Sequence, residues 1–229
     1  MSPSTSLNFD PAYALTPSEL VFLNGEIFAG KAMLGNMPLL HTDQVVSISQ
    51  LGQAVLAAAF LANENVGAFS LDIGQKKAML GLRKVKTLSA KPGKNTPAWP
   101  ESSLESALFT LARDRYANGK STQVNDLVYT WLRSDSRDPW KSVLDMLQHT
   151  LADRELLDRR EEKKLKIFTS TKFSLPDNTA ALADKAAVAP VQRMLQDCEQ
   201  QRSEAWSLLG KLIKKAISAR TEQDDVDFE

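Results

Sequence analysis

The feature that most constrains the fold is the stretch QLGQAVLAAAFLANEN, which occupies residues 50–65. Nine consecutive residues within it, 54–62, are Ala, Val, Leu or Phe, so a helix over this stretch has no polar side along those positions. A helix that is apolar all round is buried in a protein core. Nine apolar residues are too few to span a bilayer, which takes about twenty. We therefore expect a central buried helix against which the rest of the chain packs.

Most of the remaining segments are predicted to be helices, because apolar residues recur at helical spacing behind capping residues. The capping signals are Thr16 with Glu19 three residues later, Ser49, Ser102 or Ser103, and Asp138 followed by Pro139. Two stretches with strand-like patterns, near residues 68–87 and 156–169, predict short β-hairpins. Gly74 is expected in the turn of the first hairpin, residues 161–164 at the tip of the second and residues 165–168 in its returning strand.

These elements together predict a mainly α fold, in which a compact helical domain surrounds a buried central helix and carries two short β-hairpins. Residues 1–14 show little periodicity and are expected to form a flexible arm. Residues 15–220 are expected to form a single domain, and residues 221–229 an acidic disordered tail.

The charge balance argues against nucleic acid as a partner. The 229 residues contain 28 basic and 28 acidic side chains, so the formal net charge is zero. Proteins that bind nucleic acid usually carry a basic excess, because they neutralise phosphates. The N-terminal residues lack the basic and apolar regions of a signal peptide, and the single cysteine, Cys198, cannot form an internal disulfide. We therefore expect a cytoplasmic protein.

The sequence offers no recognisable catalytic or metal-binding motif. Its only histidines, His41 and His149, lie in separate segments. No Cys or His pair has the spacing of metal ligands, and the glycine-rich phosphate-binding and nucleophile motifs are missing from the sequence. We therefore predict a protein that is not an enzyme and needs no cofactor.

Residues 139–175 have the helix–strand–tip–strand order of a winged helix, so a winged-helix DNA-binding regulator is the alternative function. A recognition helix needs basic residues on its exposed face. Here Lys141 shares that face with Asp145 and Asp153, so acids outnumber bases. A helical interaction module without lipid or DNA ligand is a third possibility.

Six stretches, taken in order, resemble the Golgi phosphoprotein 3 family and its prokaryotic relatives over roughly residues 15–195. They are LTPSELVFL, QLGQAVLAAAFLANENVGAFSLD, LRKVKTLSAKPG, SSLESALF, TWLRSDSRDPWKSV and LADRELLDRREEKKLKIFTSTKFSLPD. The resemblance implies a mostly helical domain around a buried central helix. It also implies a non-enzymatic peripheral membrane or adaptor protein that recognises phosphatidylinositol 4-phosphate.

The family's headgroup site uses a Trp and an Arg near the central helix and two basic residues on a later helix. The resemblance matches Asp43 and Gly52 to the first two positions, and Lys141 and Leu144 to the other two. It therefore implies a headgroup site that is remodelled or lost. A phosphate is held by charge-assisted hydrogen bonds, so the candidates for a remodelled site are Arg83, Lys84, Arg137 and Lys141. The expected partner is an anionic lipid headgroup or membrane surface, or another protein.

Overall fold

The structure is a computed structural model that describes residues 15–42, 44–78, 83–164 and 168–221. The predicted arm of residues 1–14, Asp43 and the predicted tail beyond Thr221 lie outside the described residues. So do residues 165–167, which were expected to begin the returning strand of the second hairpin.

Within the described residues the chain forms nine helices and six strands. The helices are α1 Pro17–Leu23, α2 Gly25–Phe28, α3 Ile48–Asn65, α4 Leu104–Ala117, α5 Val124–Leu132, α6 Pro139–Asp153, α7 Asp177–Leu182, α8 Lys185–Gln201 and α9 Ser203–Ser218. The strands are β1 Asn36–Pro38, β2 Val45–Ser47, β3 Phe69–Ala78, β4 Arg83–Pro92, β5 Asp158–Lys164 and β6 Phe168–Ser174. They form three antiparallel pairs, β1–β2, β3–β4 and β5–β6.

Helix α3 has eleven buried residues, more than any other described helix, and lies at the centre of the core as the sequence predicts. Leu56, Ala58 and Phe60 are 0 % exposed. Helices α1, α2, α4, α6, α8 and α9 all pack against it. The helix begins slightly earlier than its apolar run, because Ser47 and not Ser49 caps it: the Ser47 Oγ accepts a hydrogen bond from the Gln50 N–H. The core therefore forms around this one element.

The prediction of a mainly α fold is wrong. The chain is 56 % helical and 18 % strand, with the strands in three small two-stranded sheets, which is a mixed α/β fold. One of these sheets, β1–β2, lies in a segment where the sequence pattern predicted no strand. The other two hairpins carry more strand than expected, and each for a physical reason.

In the first hairpin, Gly74 lies inside β3, opposite Thr87, and does not form the turn. In the second, the charged run RREEKK forms most of β5 and is not a tip. Asp158, Arg159, Arg160 and Glu161 are all exposed. Alternation of polar and apolar residues arises when one face of a strand is buried, so this exposed stretch lacks that signal.

Helix α9 has contacts with different elements at its two ends. At its first turn Glu204 pairs with Lys86 of β4. At its far end the Arg220 carbonyl accepts a hydrogen bond from the Ser136 N–H at 2.9 Å, just before α6. The apolar face of α9 includes Leu209, Ile213 and other side chains buried in the core. The helix thus has the β3–β4 hairpin at one end and the start of α6 at the other.

We expect Leu56→Ala to lower the free energy of unfolding by about 2–5 kcal/mol, because it removes buried atoms and leaves a cavity. Leu182→Ala is the matched control, since it deletes the same atoms from a side chain that is 36 % exposed. Urea denaturation of both variants measures the difference. Equal losses in the two variants would contradict the central position of α3.

Candidate functional site

The first pair of predicted site residues, Arg83 and Lys84, begins strand β4. Their backbones pair with Ala78 and Lys77 on β3, and the Lys84 side chain is exposed. Lys86, two residues further along, is the residue that pairs with Glu204 at the start of α9. This pair therefore lies on the hairpin beyond the N-terminal end of α9.

The second pair, Arg137 and Lys141, lies at the start of α6. The Lys141 Nζ donates to Asp145 Oδ2 at 2.6 Å. The Lys141 N–H donates to the capping carboxylate of Asp138 at 3.0 Å. A phosphate at this helix start would compete with the Asp138 carboxylate for a backbone donor and with Asp145 for the lysine. These residues therefore neutralise much of their own charge locally.

The neighbours of the two pairs contact opposite ends of α9. Lys86 contacts Glu204, and Ser136, next to Arg137, contacts Arg220. Sixteen residues separate Glu204 from Arg220, and a helix rises about 24 Å over that length. That the four residues form one headgroup site stays a prediction.

The positions matched to the family's headgroup site are also occupied by packing contacts. A Cβ at Gly52 would lie 2.9 Å from a ring carbon of Trp140, so the ring covers this position directly. Leu144 is 1 % exposed and faces the core. Asp43 lies outside the described residues. Of the matched positions that are described, only Lys141 reaches the surface.

Two buried glutamates form a polar network near the start of α1. Glu105 is 0 % exposed, and its carboxylate accepts hydrogen bonds from the Ser18 N–H at 2.8 Å and the Ser18 Oγ at 3.0 Å. Glu19 is 1 % exposed and accepts from the Thr16 N–H at 2.8 Å. Arg154, just after α6, forms an ion pair with Glu19. The network joins α1, α4 and the end of α6.

Burial governs the protonation of both glutamates. It raises the pKa of Glu19 from 4.5 to about 7, even though the Arg154 guanidinium lowers it; the neighbouring Glu105 raises it further. Burial likewise raises the pKa of Glu105. Perturbed carboxyl groups often mark active sites. Here both are enclosed and hydrogen-bonded to the fold itself, so the network serves structure and offers no surface for a substrate.

A more exposed feature is the loop of residues 31–35, which follows α2. Met33 is 99 % exposed and Leu34 is 88 % exposed. The loop is closed by the Asn36 side chain, whose Oδ1 accepts from the Ala32 N–H at 2.9 Å and whose Nδ2 donates to the Ala32 carbonyl at 2.7 Å. These two bonds fix the base of the loop and leave its two apolar side chains in water. We call residues 31–35 the apolar loop.

The apolar loop is also attached to the start of α3. The Gly30 N–H donates to the Gln50 side chain at 2.9 Å, and the Gly30 carbonyl accepts from the Ser47 N–H at 2.8 Å. At the other end, the Gly35 carbonyl accepts from the Ile48 N–H at 2.8 Å. Gly35 has a φ of +70°, a conformation that favours glycine. The residues at both ends of the loop are therefore held by the start of α3 and its capping residue Ser47.

A cleft of 340 Å³ opens beside this attachment, between α2, α3, α8 and α9. Phe28 and Trp206 supply aromatic rings, Gln50 and Gln53 supply amides, and Glu199 supplies the carboxylate. The lining residues come from two parts of the chain, α2 with α3 and α8 with α9, that are far apart in the sequence. Sequence reasoning missed both the cleft and the apolar loop, although the adjacent Met33 and Leu34 beside Gly35 could have indicated the loop.

The described residues contain no group of three or more His, Cys, Asp or Glu side chains placed to hold a metal ion. His149 lies edge-on to Phe173 at 5.2 Å between ring centroids, which is a packing contact. Among the described helices, none is both long enough and apolar enough to cross a membrane.

Comparison with known proteins found no matching family model, no matching curated protein and no matching solved structure. Function must therefore be argued from the geometry of this chain.

The pKa of Glu19 leads to a prediction about pH. Because folding raises this pKa, the bound proton stabilises the fold fully below pH 4.5, and that contribution is lost as the pH rises through about 7. Relative to Glu19→Gln, the parent should lose up to about 3 kcal/mol of unfolding free energy over this range. Urea denaturation at a series of pH values measures the difference.

The exposed Glu101 provides the control for this experiment. Glu101→Gln should follow the parent across the upper part of the pH range, because the removed carboxylate is in water in both the folded and the unfolded states. If the curves of the parent and of Glu19→Gln ran parallel from pH 5 to pH 8, Glu19 would not be titrating in the folded protein.

Proposed function

We propose that the protein is a peripheral membrane-binding adaptor without enzymatic activity, and that the apolar loop inserts into the lipid surface. The observation that carries this proposal is the near-complete exposure of Met33 and Leu34 on a loop held in place by hydrogen bonds. The resemblance to the Golgi phosphoprotein 3 family supports the same class of function. The role of the apolar loop is inferred from this chain alone and not from the resemblance.

The energy available from the loop suits reversible binding. Moving one large apolar side chain out of water contributes about 1.5–3 kcal/mol. Met33 and Leu34 together therefore contribute about 3–6 kcal/mol. Lys31 in the same loop is exposed and adds about 1 kcal/mol at an anionic surface. This total is enough for weak association that responds to lipid composition, and too little for permanent anchoring.

The base of the loop reduces the cost of insertion. Ordering a flexible segment on binding consumes interaction energy. Here the Asn36 side chain already closes the loop on Ala32, and Gly30 and Gly35 are already bonded to the start of α3. The apolar side chains are therefore presented before the membrane is met.

A lipid surface suits this loop better than a protein surface does. A standard protein interface buries about 800 Å² on each partner and needs a broad complementary patch. Two side chains on a narrow loop do not form such a patch. The lipid interface requires no shape complementarity and accepts apolar side chains to a depth of about 5–10 Å.

The basic residues predicted to contact an anionic headgroup remain part of the proposal, but as two separate pairs. Neighbours of the two pairs contact opposite ends of α9. We therefore propose that Arg83 with Lys84, and Arg137 with Lys141, act as separate basic contacts and not as one phosphoinositide pocket. Separate contacts add electrostatic attraction without strong headgroup selectivity. Binding to anionic vesicles should therefore be sensitive to salt.

Met33→Ser with Leu34→Ser should weaken vesicle binding at least tenfold, because serine gains little from leaving water. Co-sedimentation with vesicles of mixed zwitterionic and anionic lipid measures the change. The melting temperature should stay the same, since the two side chains make little contact with the fold. Tyr116→Ser with Leu182→Ser is the control, as it removes two other exposed apolar side chains.

If the loop variant sedimented as well as the parent, or if the control lost binding to the same degree, insertion of the apolar loop would be excluded. A parent protein that failed to sediment with any vesicle and bound duplex DNA selectively would favour the winged-helix alternative instead.

The charge-reversed pairs should act additively. Arg83→Glu with Lys84→Glu, and Arg137→Glu with Lys141→Glu, should each weaken binding to anionic vesicles, and the combined variant should lose the sum of the two free energies. The reason is that each reversal replaces attraction to anionic lipid with repulsion, and contacts that act independently contribute additively. Lys120→Glu with Lys185→Glu is the control. If the combined variant bound anionic vesicles as well as the weaker-binding of the two pair variants, the result would indicate one shared pocket.

A further inference from the structure

The cleft between α2, α3, α8 and α9 has the chemistry of a site for a small cation. Helices α8 and α9 are joined at Arg202 and pack against each other. Glu199 and Trp206 lie on either side of this junction and both line the cleft. Its volume of 340 Å³ falls in the range of small-molecule pockets.

The charge in this part of the cleft is negative and comes from Glu199. Glu199 is exposed and has no ion-pair partner among the described residues, and no Lys, Arg or His lines the recess with it. The rings of Phe28 and Trp206 line the same space. A carboxylate beside aromatic faces favours an alkylammonium or quaternary ammonium group, because the ring quadrupole and the carboxylate both attract it.

A second recess continues from the first and has the opposite charge. The two share Gln53, Trp206 and Gly210, and the second adds Lys211 and Lys214. These lysines are three residues apart on α9, so they project from the same side of the helix. They lie about 8–12 Å along the helix from Trp206. Neither has an ion-pair partner among the described residues.

Gly210 and Gln53 line both recesses. A Cβ at position 210 would lie 2.7 Å from the Nε2 of Gln53, so the Gln53 side chain lies across the glycine. Its amide can donate to a phosphate oxygen bound in the second recess. A larger residue at position 210 would displace this amide without touching the core.

We propose that the cleft binds a zwitterionic phosphate ester of an amino alcohol, such as phosphocholine or phosphoethanolamine. The ammonium group lies against Trp206 and Glu199, and the phosphate lies against Lys211 and Lys214. The same chemistry occurs in free phosphocholine and in the headgroup of phosphatidylcholine. Gln50 lines the cleft and also bonds to Gly30, which directly precedes the apolar loop. A lipid headgroup in the cleft would therefore lie close to the membrane-inserted loop.

The test uses the full-length protein and isothermal titration calorimetry with four probes: phosphocholine, phosphoethanolamine, choline chloride and inorganic phosphate. Phosphocholine or phosphoethanolamine should bind at least tenfold more tightly than either choline or phosphate alone, because only the ester engages both recesses. Binding of none of the four probes would overturn the proposal.

Variants assign the two ends of the ligand. Glu199→Gln should weaken the binding of phosphocholine at least tenfold and leave the weak affinity for phosphate unchanged. Lys211→Gln with Lys214→Gln should also weaken the binding of phosphocholine at least tenfold, but should leave the weak affinity for choline unchanged. Gly210→Ala should weaken phosphocholine while keeping the parent melting temperature. The controls are Lys215→Gln and Glu101→Gln, exposed residues that line neither recess. Unchanged phosphocholine affinity in all the cleft variants would place the ligand elsewhere and overturn the proposal.

Two further arms separate the sources of the headgroup. If phosphatidylcholine is the ligand, Glu199→Gln should weaken binding to phosphatidylcholine vesicles, and free phosphocholine should compete. If the ligand is soluble, Glu199→Gln should lose phosphocholine and bind vesicles like the parent. The proposal stands apart from membrane insertion, because Met33→Ser with Leu34→Ser should retain the parent affinity for free phosphocholine.

Discussion

Burial of the apolar run of α3 is the constraint on which the rest of the structure depends. Because no side of this run tolerates water, other helices must surround it, and six of the described helices pack against α3. The start of the helix has a further role, since Ser47, Ile48 and Gln50 hold the backbone on both sides of the apolar loop. The same helix therefore fixes the core and places the most exposed apolar residues of the described chain. Its first turns connect stability to the proposed membrane contact.

The core also contains polar groups that need partners, and these partners come from distant parts of the chain. Glu105 accepts both donors of Ser18, 87 residues away in sequence. Asn63 on α3 donates to the Glu105 carbonyl and accepts from the Trp99 indole. Leaving such groups unpaired when buried costs about 1–3 kcal/mol each. The network therefore specifies how α1, α3 and α4 meet, in a way that apolar contact alone does not. Its dependence on pH follows from the same burial.

Local signals in the sequence predicted local features well. The apolar run of α3, the Ser103 cap and the Asp138 cap each rest on residues within one turn of each other, so the sequence contains all that is needed. The strand content was underestimated because residues 158–161 of β5 are all exposed and show no alternation. The candidate basic residues come from two separate segments, and the sequence gives no information on how far apart tertiary packing places them. The cleft could not be foreseen, since its four helices meet only through the tertiary packing of the core.

The apolar loop and the cleft gain significance from their common attachment at the start of α3. Gln50 bonds to Gly30 on one side and lines the cleft on the other. Gln53, one turn later, lines both recesses. In the proposed membrane contact, a force on the apolar loop would act on the helix that also forms the wall of the cleft. Because α3 is rigid and close-packed, the loop and the cleft keep a fixed relative position. That fixed geometry is what a protein needs to insert two side chains and contact a neighbouring headgroup in one binding event.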